Sequence, residues 1–261
     1  MIAQNKFDHA LRPSDTEDLV KSSSRTTDLF EYLAQAKGPV ALGDISNYLN
    51  IPQSSASSLV KSLLDSGFLQ KDNTSRFYEL SPRLPLLGLK YLERVPTIQG
   101  LRDRVVTIAN LFNETTVLAM QNGLYSQYIY VKRKAPQDDG KHVKLGSLRP
   151  MACAASGWAI MTQFSEIEIG KYIRATNLAI SDKHWEHNLS IAKTEIELAK
   201  DRGYAFSKAS EHSETAGIAV PILRLDSTSY AICVAGREQN LLKKEQAISE
   251  VLRELSSDVF T

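Results

Sequence analysis

Two helical stripes of the same spacing, set around a third, shorter one, constrain this chain more than any other feature. Thr26, Leu29, Phe30, Leu33 and Ala34 stand at i, i+3, i+4, i+7 and i+8, and Ala56, Leu59, Val60, Leu63 and Leu64 repeat that spacing. The period places apolar side chains on one face of an amphipathic helix. Between the two, Leu42, Ile45, Tyr48 and Leu49 share a face, with Asn50 near its end. Gly38-Pro39 stops the first helix, and Pro52 pushes Ile51 out of helical geometry to make a turn. Gly67 is well placed as the cap of the third helix. Phe68–Lys71 and Arg76–Leu80, around the polar Asp72–Ser75, then read as a β-hairpin. Helix, short helix, turn, helix and hairpin in that order describe a winged helix-turn-helix over residues 25–81.

The flanks are of two kinds. Residues 1–24 are polar, mixed in charge and end in Ser22-Ser23-Ser24, which predicts a flexible tail. Residues 82–96 carry Leu84, Leu87, Leu89, Tyr91 and Leu92, and read as a linker helix that can pair with its copy in a dimer. Pro85 falls in its first turn, where proline is tolerated, and Pro96 ends it. Residues 97–261 alternate. Leu101–Phe112 is helical by period, and Thr115–Met120 and Tyr125–Lys132 are strands around Gln121-Asn122-Gly123. A loop at 137–142 precedes a small-residue helix, Ala152–Phe164. An amphipathic helix, Ile191–Arg202, ends at Gly203. Strands Ile218–Leu225 and Tyr230–Ala235 lead to a closing helix, Lys243–Ser257. Strands joined as hairpins and flanked by helices predict an α+β sensor domain.

Composition sets the outer limits. The chain has 261 residues, 43% of them hydrophobic, enough for two ordinary domains with real cores. No apolar run is long enough to cross a membrane, and no secretory leader is recognisable. Two cysteines, Cys153 and Cys233, exclude a disulfide framework, so a cytoplasmic protein is expected. The net charge is +1; residues 21–95 hold nine Lys/Arg and seven Asp/Glu, a difference of +2. Phosphate neutralisation ordinarily needs a basic surface, so DNA binding here has to rest on where charges fall and on dimerisation.

The third helix presents Gln53, Ser54, Ser55, Ser57, Ser58 and Lys61 away from its apolar stripe. Such a helix enters the major groove N-terminus first, where Gln pairs bidentately with adenine and Ser bonds several base edges. Lys61 would neutralise a phosphate. Lys71, Asn73, Thr74, Ser75 and Arg76 sit at the wing tip, facing backbone or minor groove. Arg25 and Thr26 open the first helix, whose positive end suits a phosphate. The plain alternative is a solvated serine-rich face; another is an adaptor that uses the winged helix for protein contacts. An enzyme with a degenerate site is the other. His184 and His187 are three apart but lack a third ligand at metal spacing. Cys153 stands among alanines, as a small core residue does. His212-Ser213-Glu214 holds triad residue types, but triads are built from separated segments. No glycine-rich phosphate loop is present, and no cofactor or metal is expected.

Over residues ~25 to 258 the chain resembles the IclR family of bacterial regulators. The resemblance rests on Asp44-Ile45-Ser46-Asn47-Tyr48-Leu49-Asn50-Ile51-Pro52-Gln53-Ser54-Ser55-Ala56 and Tyr78-Glu79-Leu80. It continues in Arg149-Pro150-Met151-Ala152-Cys153-Ala154-Ala155-Ser156-Gly157-Trp158-Ala159 and Arg202-Gly203-Tyr204-Ala205. Ala216-Gly217-Ile218-Ala219-Val220-Pro221-Ile222 and Ala231-Ile232-Cys233-Val234-Ala235-Gly236 complete it in the expected order. The resemblance implies a homodimer or homotetramer and a GAF-like effector domain. It also implies repression or activation of a nearby catabolic operon in response to an organic or aromatic acid. It implies an effector cup at Arg149, Ala155, Ser156, Ser207, Gly217, Cys233 and Ala235, with the N–H groups of Ala155 and Ser156 suited to a carboxylate. Several positions depart from the family pattern. Ala152 replaces histidine, Ser207 an acidic residue and Gly217 a larger one, each leaving the cup wider or less acidic. Arg149 replaces an aliphatic residue and can clamp a carboxylate bidentately, although a surface arginine on a loop is an equal reading. Ser58 stands where relatives often carry a basic residue, so base readout leans on hydrogen bonds and shape.

Overall fold

The computed structural model describes residues 21–72, 76–93, 96–134, 143–179, 185–208, 214–225 and 228–257. The chain divides into two compact units between Val95 and Pro96.

In the first unit, α1 (Lys21–Gln35), α2 (Leu42–Leu49) and α3 (Gln53–Asp65) are followed by β1 (Leu69–Lys71), β2 (Tyr78–Leu80) and α4 (Arg83–Glu93). The core collects Leu29, Leu33, Ile45, Ala56, Val60 and Leu63, the predicted stripe positions. Ala34 is exposed instead, at the margin of its stripe. α1 takes in Ser22–Ser24, expected in the tail. No glycine or proline interrupts this stretch, and the Thr26 and Thr27 hydroxyls donate to the carbonyls of Ser22 and Ser24 at 2.9 and 2.8 Å. Both following helices end in a left-handed residue that lets the chain turn back. Asn50 (φ 50°) closes α2, and Ile51 N–H reaches Ser46 O at 3.2 Å. Gly67 (φ 75°) follows α3, with its N–H on Leu64 O and that of Phe68 on Leu63 O, a Schellman pair. The wing pairs Leu69 with Leu80 and Lys71 with Tyr78. An isolated bridge from Val40 to Tyr78 ties it to the α1–α2 connection.

α4 carries Leu86, Leu87, Leu89 and Tyr91, each about half exposed. Pro85 lies in its first turn as predicted. Pro96 does not end this helix; it is the first residue of α5 (Pro96–Phe112), five residues ahead of the predicted start. Proline fits there because the first helical N–H has no partner to lose.

The second unit is built on one six-stranded antiparallel sheet. Its strands are β3 (Thr115–Asn122), β4 (Tyr125–Lys132), β5 (Leu148–Pro150), β6 (Ala205–Ser207), β7 (Thr215–Leu225) and β8 (Thr228–Arg237), in the spatial order β5-β4-β3-β8-β7-β6. α6 (Ala155–Met161), α7 (Glu166–Ala179) and α8 (Glu186–Arg202) pack on one face; α5 and α9 (Glu238–Ser257) pack on the other. Alternation along β8 sorts the two cores: Ala231 and Cys233 face the first group, Ile232 and Val234 the second. The predicted helix Ala152–Phe164 is broken. Met151–Cys153 is one 3₁₀ turn, Ala154 is extended (φ −136°, ψ 148°), and α6 begins at Ala155. Side chains take the carbonyls that a continuous helix would use: Trp158 Nε1 donates to Ala152 O at 2.8 Å and Asn188 Nδ2 to Cys153 O at 2.7 Å.

Candidate nucleic-acid interface and effector site

In the first unit, Gln53, Ser54, Ser57, Ser58 and Lys61 of α3 are exposed on one polar face, while Ser55 is half-buried on its flank. Pro52 precedes the helix and no side chain caps it. The first backbone N–H groups therefore have no intrahelical acceptor, as at any uncapped N-terminus. The serines divide by their hydrogen bonds. Ser58 Oγ donates to Ser54 O at 3.1 Å and Ser62 Oγ to Ser58 O at 3.0 Å. A back-bonded hydroxyl has spent its proton and presents lone pairs, which suit the amino groups of adenine and cytosine rather than phosphate oxygens.

Arg25 reaches this face. With Ser22 it borders a groove of about 420 Å³ whose other wall is Ser54, Ser55, Ser58 and Ser62. The expectation that Arg25 and Thr26 stand at the positive end of α1 is overturned, because the helix starts at Lys21. Arg25 can act only through its side chain, and the Thr26 hydroxyl is held by Ser22 O. Ser22 and Ser62 were not singled out by sequence; the i+4 continuation from Ser54 and Ser58 to Ser62 is the signal that marks the latter. In the wing, Lys71 and Arg76 are exposed, and Lys71 Nζ lies 5.9 Å above the Tyr78 ring. Arg76 takes a left-handed conformation (φ 56°). Asn73, Thr74 and Ser75 lie outside the described residues.

In the second unit, backbone register brings together the residues expected around an effector. Ser207 pairs with Gly217, and Gly217 with Ala235; Cys233 lies two residues before Ala235 on β8. Ala155 comes in from the start of α6. A Cβ added at Gly217 would lie 3.2 Å from Cys233 Sγ, 3.3 Å from Ala155 Cβ and 3.5 Å from Ser207 Oγ. Gly217 therefore does not widen a cup, contrary to the expectation from its small size. It lets α6 and β8 close over the sheet. Ala152 is likewise fully buried. Burial pushes the thiols of Cys153 and Cys233 up to about 12, so both stay protonated, as core cysteines do.

Arg149 is half-buried on β5, opposite Ser126 of β4. Its guanidinium lies 5.7 Å above the Tyr128 ring, and one N–H meets Leu148 O at 3.3 Å. Burial pushes the Tyr128 phenol up to about 12, against the opposing pull of Arg149 and Ser156. Ser156, at 1% exposure, shares a 2.8 Å hydrogen bond with the fully buried Ser126. Ser126 was not singled out by sequence; it stands two residues before Tyr128 on β4, so a period of two from Tyr128 points at it. His184, His212, Ser213 and the side chain of His187 lie outside the described residues. Among the described residues there is no cluster of three metal-ligating side chains, and no helix is long and apolar enough to cross a membrane.

Known proteins share both units. The family profile of the IclR helix-turn-helix domain matches residues 22–73, and that of the bacterial transcriptional regulator IclR C-terminal domain matches residues 89–261. The glycerol operon regulatory protein of Streptomyces coelicolor is 24% identical over 216 residues, covering 78% of this chain and 79% of that protein. The HTH-type transcriptional repressor AllR of Escherichia coli K12 is 22% identical over 264 residues, covering 96% and 94%. An IclR homolog of Microbacterium hydrocarbonoxydans, solved in complex with 4-hydroxybenzoate, has the same fold: TM-score 0.75 at 16% identity, over 91% of this chain and 97% of that one.

Proposed function

Since this chain belongs to the IclR family of bacterial transcriptional regulators, we propose that it binds double-stranded operator DNA as a cytoplasmic homodimer, alone or paired into a tetramer, and that an organic acid adjusts its grip. That it is a DNA-binding regulator with an effector-binding C-terminal domain, and not an enzyme, follows from the family.

The exposed face of α3 carries the DNA reading. Gln53 and the back-bonded Ser58 would meet base edges, and Ser54 and Ser57 either bases or phosphates. Lys61, Arg25 across the groove, and Lys71 and Arg76 of the wing would meet phosphates; Asn73–Ser75 at the tip are expected to join them. A surplus of two positive charges in residues 21–95 is small for one copy. A dimer doubles it and doubles the base contacts, reading half-sites about one helical turn apart. α4 offers the surface for that pairing, with four large apolar side chains about half exposed. For the effector, Arg149 is a half-buried cation opposite Ser126, whose hydroxyl meets that of Ser156, the neighbour of Ala155 in the row Ala155, Ser207, Gly217, Cys233 and Ala235. A guanidinium in that position suits a carboxylate. The bound 4-hydroxybenzoate of the Microbacterium homolog makes an aromatic acid of a catabolic pathway the first candidate.

The test is a nuclease footprint on the DNA flanking the protein's own gene, with and without 4-hydroxybenzoate or benzoate. Two protected half-sites whose occupancy changes with an acid support the reading. No protected site at low salt contradicts the operator.

A further inference from the structure

Arg25 is the one charged residue among the described walls of the groove between α1 and α3, and Ser54 and Ser55 stand across from it. Among the described residues it forms no ion pair. The Ser54 and Ser55 hydroxyls are not back-bonded as those of Ser58 and Ser62 are, so each keeps a proton to donate. Ile51 and Leu59 add apolar surface. A guanidinium beside free hydroxyl donors suits a carboxylate as well as a phosphate.

The chain itself carries carboxylates to this groove. Residues 1–20, which precede the described part, hold two Lys/Arg and four Asp/Glu, a difference of −2. That cancels the surplus of +2 in residues 21–95. Three of the acids, Asp15, Glu17 and Asp18, fall in the stretch Pro13–Val20, which has no Lys or Arg. The chain enters α1 at Lys21, and the next residue, Ser22, borders the groove. Asp18 is four residues from Ser22 and Asp15 is seven, so even a fully extended chain keeps them within about 14 and 25 Å of it.

We propose that the acidic segment Pro13–Val20 docks in the α1–α3 groove of its own chain, with its carboxylates on Arg25, and so competes with the DNA phosphate that Arg25 would otherwise meet. The competition rests on the reading of α3 and its groove as the DNA surface. Leu19 and Val20 supply apolar side chains for Ile51 and Leu59. A short tether holds the segment at an effective concentration of millimolar order, so a contact too weak for a free peptide is populated within the chain. A groove occupied about two-thirds of the time lowers DNA affinity about threefold, because only the open fraction is competent. Operator DNA displaces the segment with many phosphates at once, which three carboxylates cannot match. The segment therefore disfavours stray, weakly held DNA more than a full site.

The experiment is a cycle on the full chain, read by fluorescence anisotropy with the footprinted duplex at low salt. Asp15→Asn, Glu17→Gln and Asp18→Asn together should tighten binding about threefold. In an Arg25→Ala background the same three changes should give no gain. An equal gain in both backgrounds would mean that the acids only repel DNA at a distance, and would overturn the proposal. So would no gain in either. A second measurement needs no DNA. Both native cysteines are buried, so Thr16→Cys with Ser55→Cys provides the reactive pair. Oxidation by copper phenanthroline should link the two within one chain, about threefold more slowly when Arg25 is also replaced by Ala. A rate indifferent to Arg25, or links formed only between chains, would overturn the docking. If the wild-type chain binds no duplex while the link still depends on Arg25, the operator reading fails and the competition with it, and the docking stands.

Discussion

Gly157 lies so close against the backbone of Met151 that an added Cβ would overlap it, at 2.6 Å from the Met151 carbonyl carbon. Backbone cannot swing aside as a long side chain can. Gly157→Ala should therefore destabilise the second unit by about 3 kcal/mol, at the upper end for an overpacked core. Urea unfolding followed by tryptophan fluorescence checks it, since both tryptophans, Trp158 and Trp185, belong to that unit. An unchanged midpoint would mean that the 3₁₀ turn and α6 can separate freely.

Glu114 is held on two sides. Its carboxylate is 3% exposed, with Lys244 Nζ at 2.9 Å and Lys134 Nζ at 3.6 Å. Lys244 also donates to Phe112 O at 2.9 Å, closing the end of α5 against α9. Removing it as Lys244→Ala leaves a buried carboxylate with the more distant partner alone, and should cost about 2 kcal/mol. Glu114→Gln with Lys244→Ala should recover part of that loss, because the uncompensated charge is gone. A double-mutant cycle in thermal unfolding reads the coupling.

Stability should fall in alkali. Cys153, Cys233 and Tyr128 titrate at about 12 when folded, against ordinary values of 9.0 for the thiols and 10.0 for the phenol. Their contribution is complete below about pH 9, the ordinary thiol value. Between roughly pH 9 and 12 the unfolded chain has lost protons that the folded chain keeps, so stability declines as pH rises. The slope is about 1.4 kcal/mol per pH unit for each retained proton. Urea midpoints across the range from neutral to strongly alkaline pH check this; a flat profile would contradict the burial of these groups.

The surface of α4 makes its own prediction. Leu86→Glu with Leu89→Glu places charges where two copies would meet, and neither side chain is buried within its own chain. The variant should fold, sediment as a smaller species and bind operator DNA about tenfold more weakly or worse, on the order of what uncoupling two linked half-sites gives. An unchanged sedimentation coefficient would move the dimer interface elsewhere.

The winged helix was legible in the sequence because its signals are local. Two stripes of period 3.6, a proline turn at Ile51-Pro52 and a glycine at 67 each act within a few residues. The helix boundaries were harder. α1 starts at Lys21, ahead of Arg25, since Ser22–Ser24 suit a loop and a helix equally until threonine back-bonds decide. The break at Ala154 was not legible at all, because Trp158 and Asn188 take its neighbours' carbonyls and Asn188 is far away in sequence. The row expected around an effector came from the family resemblance, but its packing did not. That Gly217 is filled around, not empty, depends on Cys233 and Ala155, which only the β7–β8 register and the position of α6 bring near. Ser126 escaped for the same reason: alternate positions on a strand name a face, not the Ser156 hydroxyl of α6 that it meets.

The salt dependence of operator affinity tests whether α3 and its groove hold DNA. Fluorescence anisotropy on the footprinted fragment, from low to physiological salt, gives a slope that counts the phosphates neutralised. For the wild-type chain the logarithm of affinity should fall linearly and steeply with the logarithm of salt concentration. Lys61→Ala and Arg25→Ala should each weaken binding to all sequences alike and flatten the slope by about one, the share of a single phosphate. Gln53→Ala should instead leave the slope in place and relax preference at one base pair. A wild-type affinity that does not respond to salt, or slopes unmoved by both cation variants, would contradict the placement of DNA on α3 and its groove.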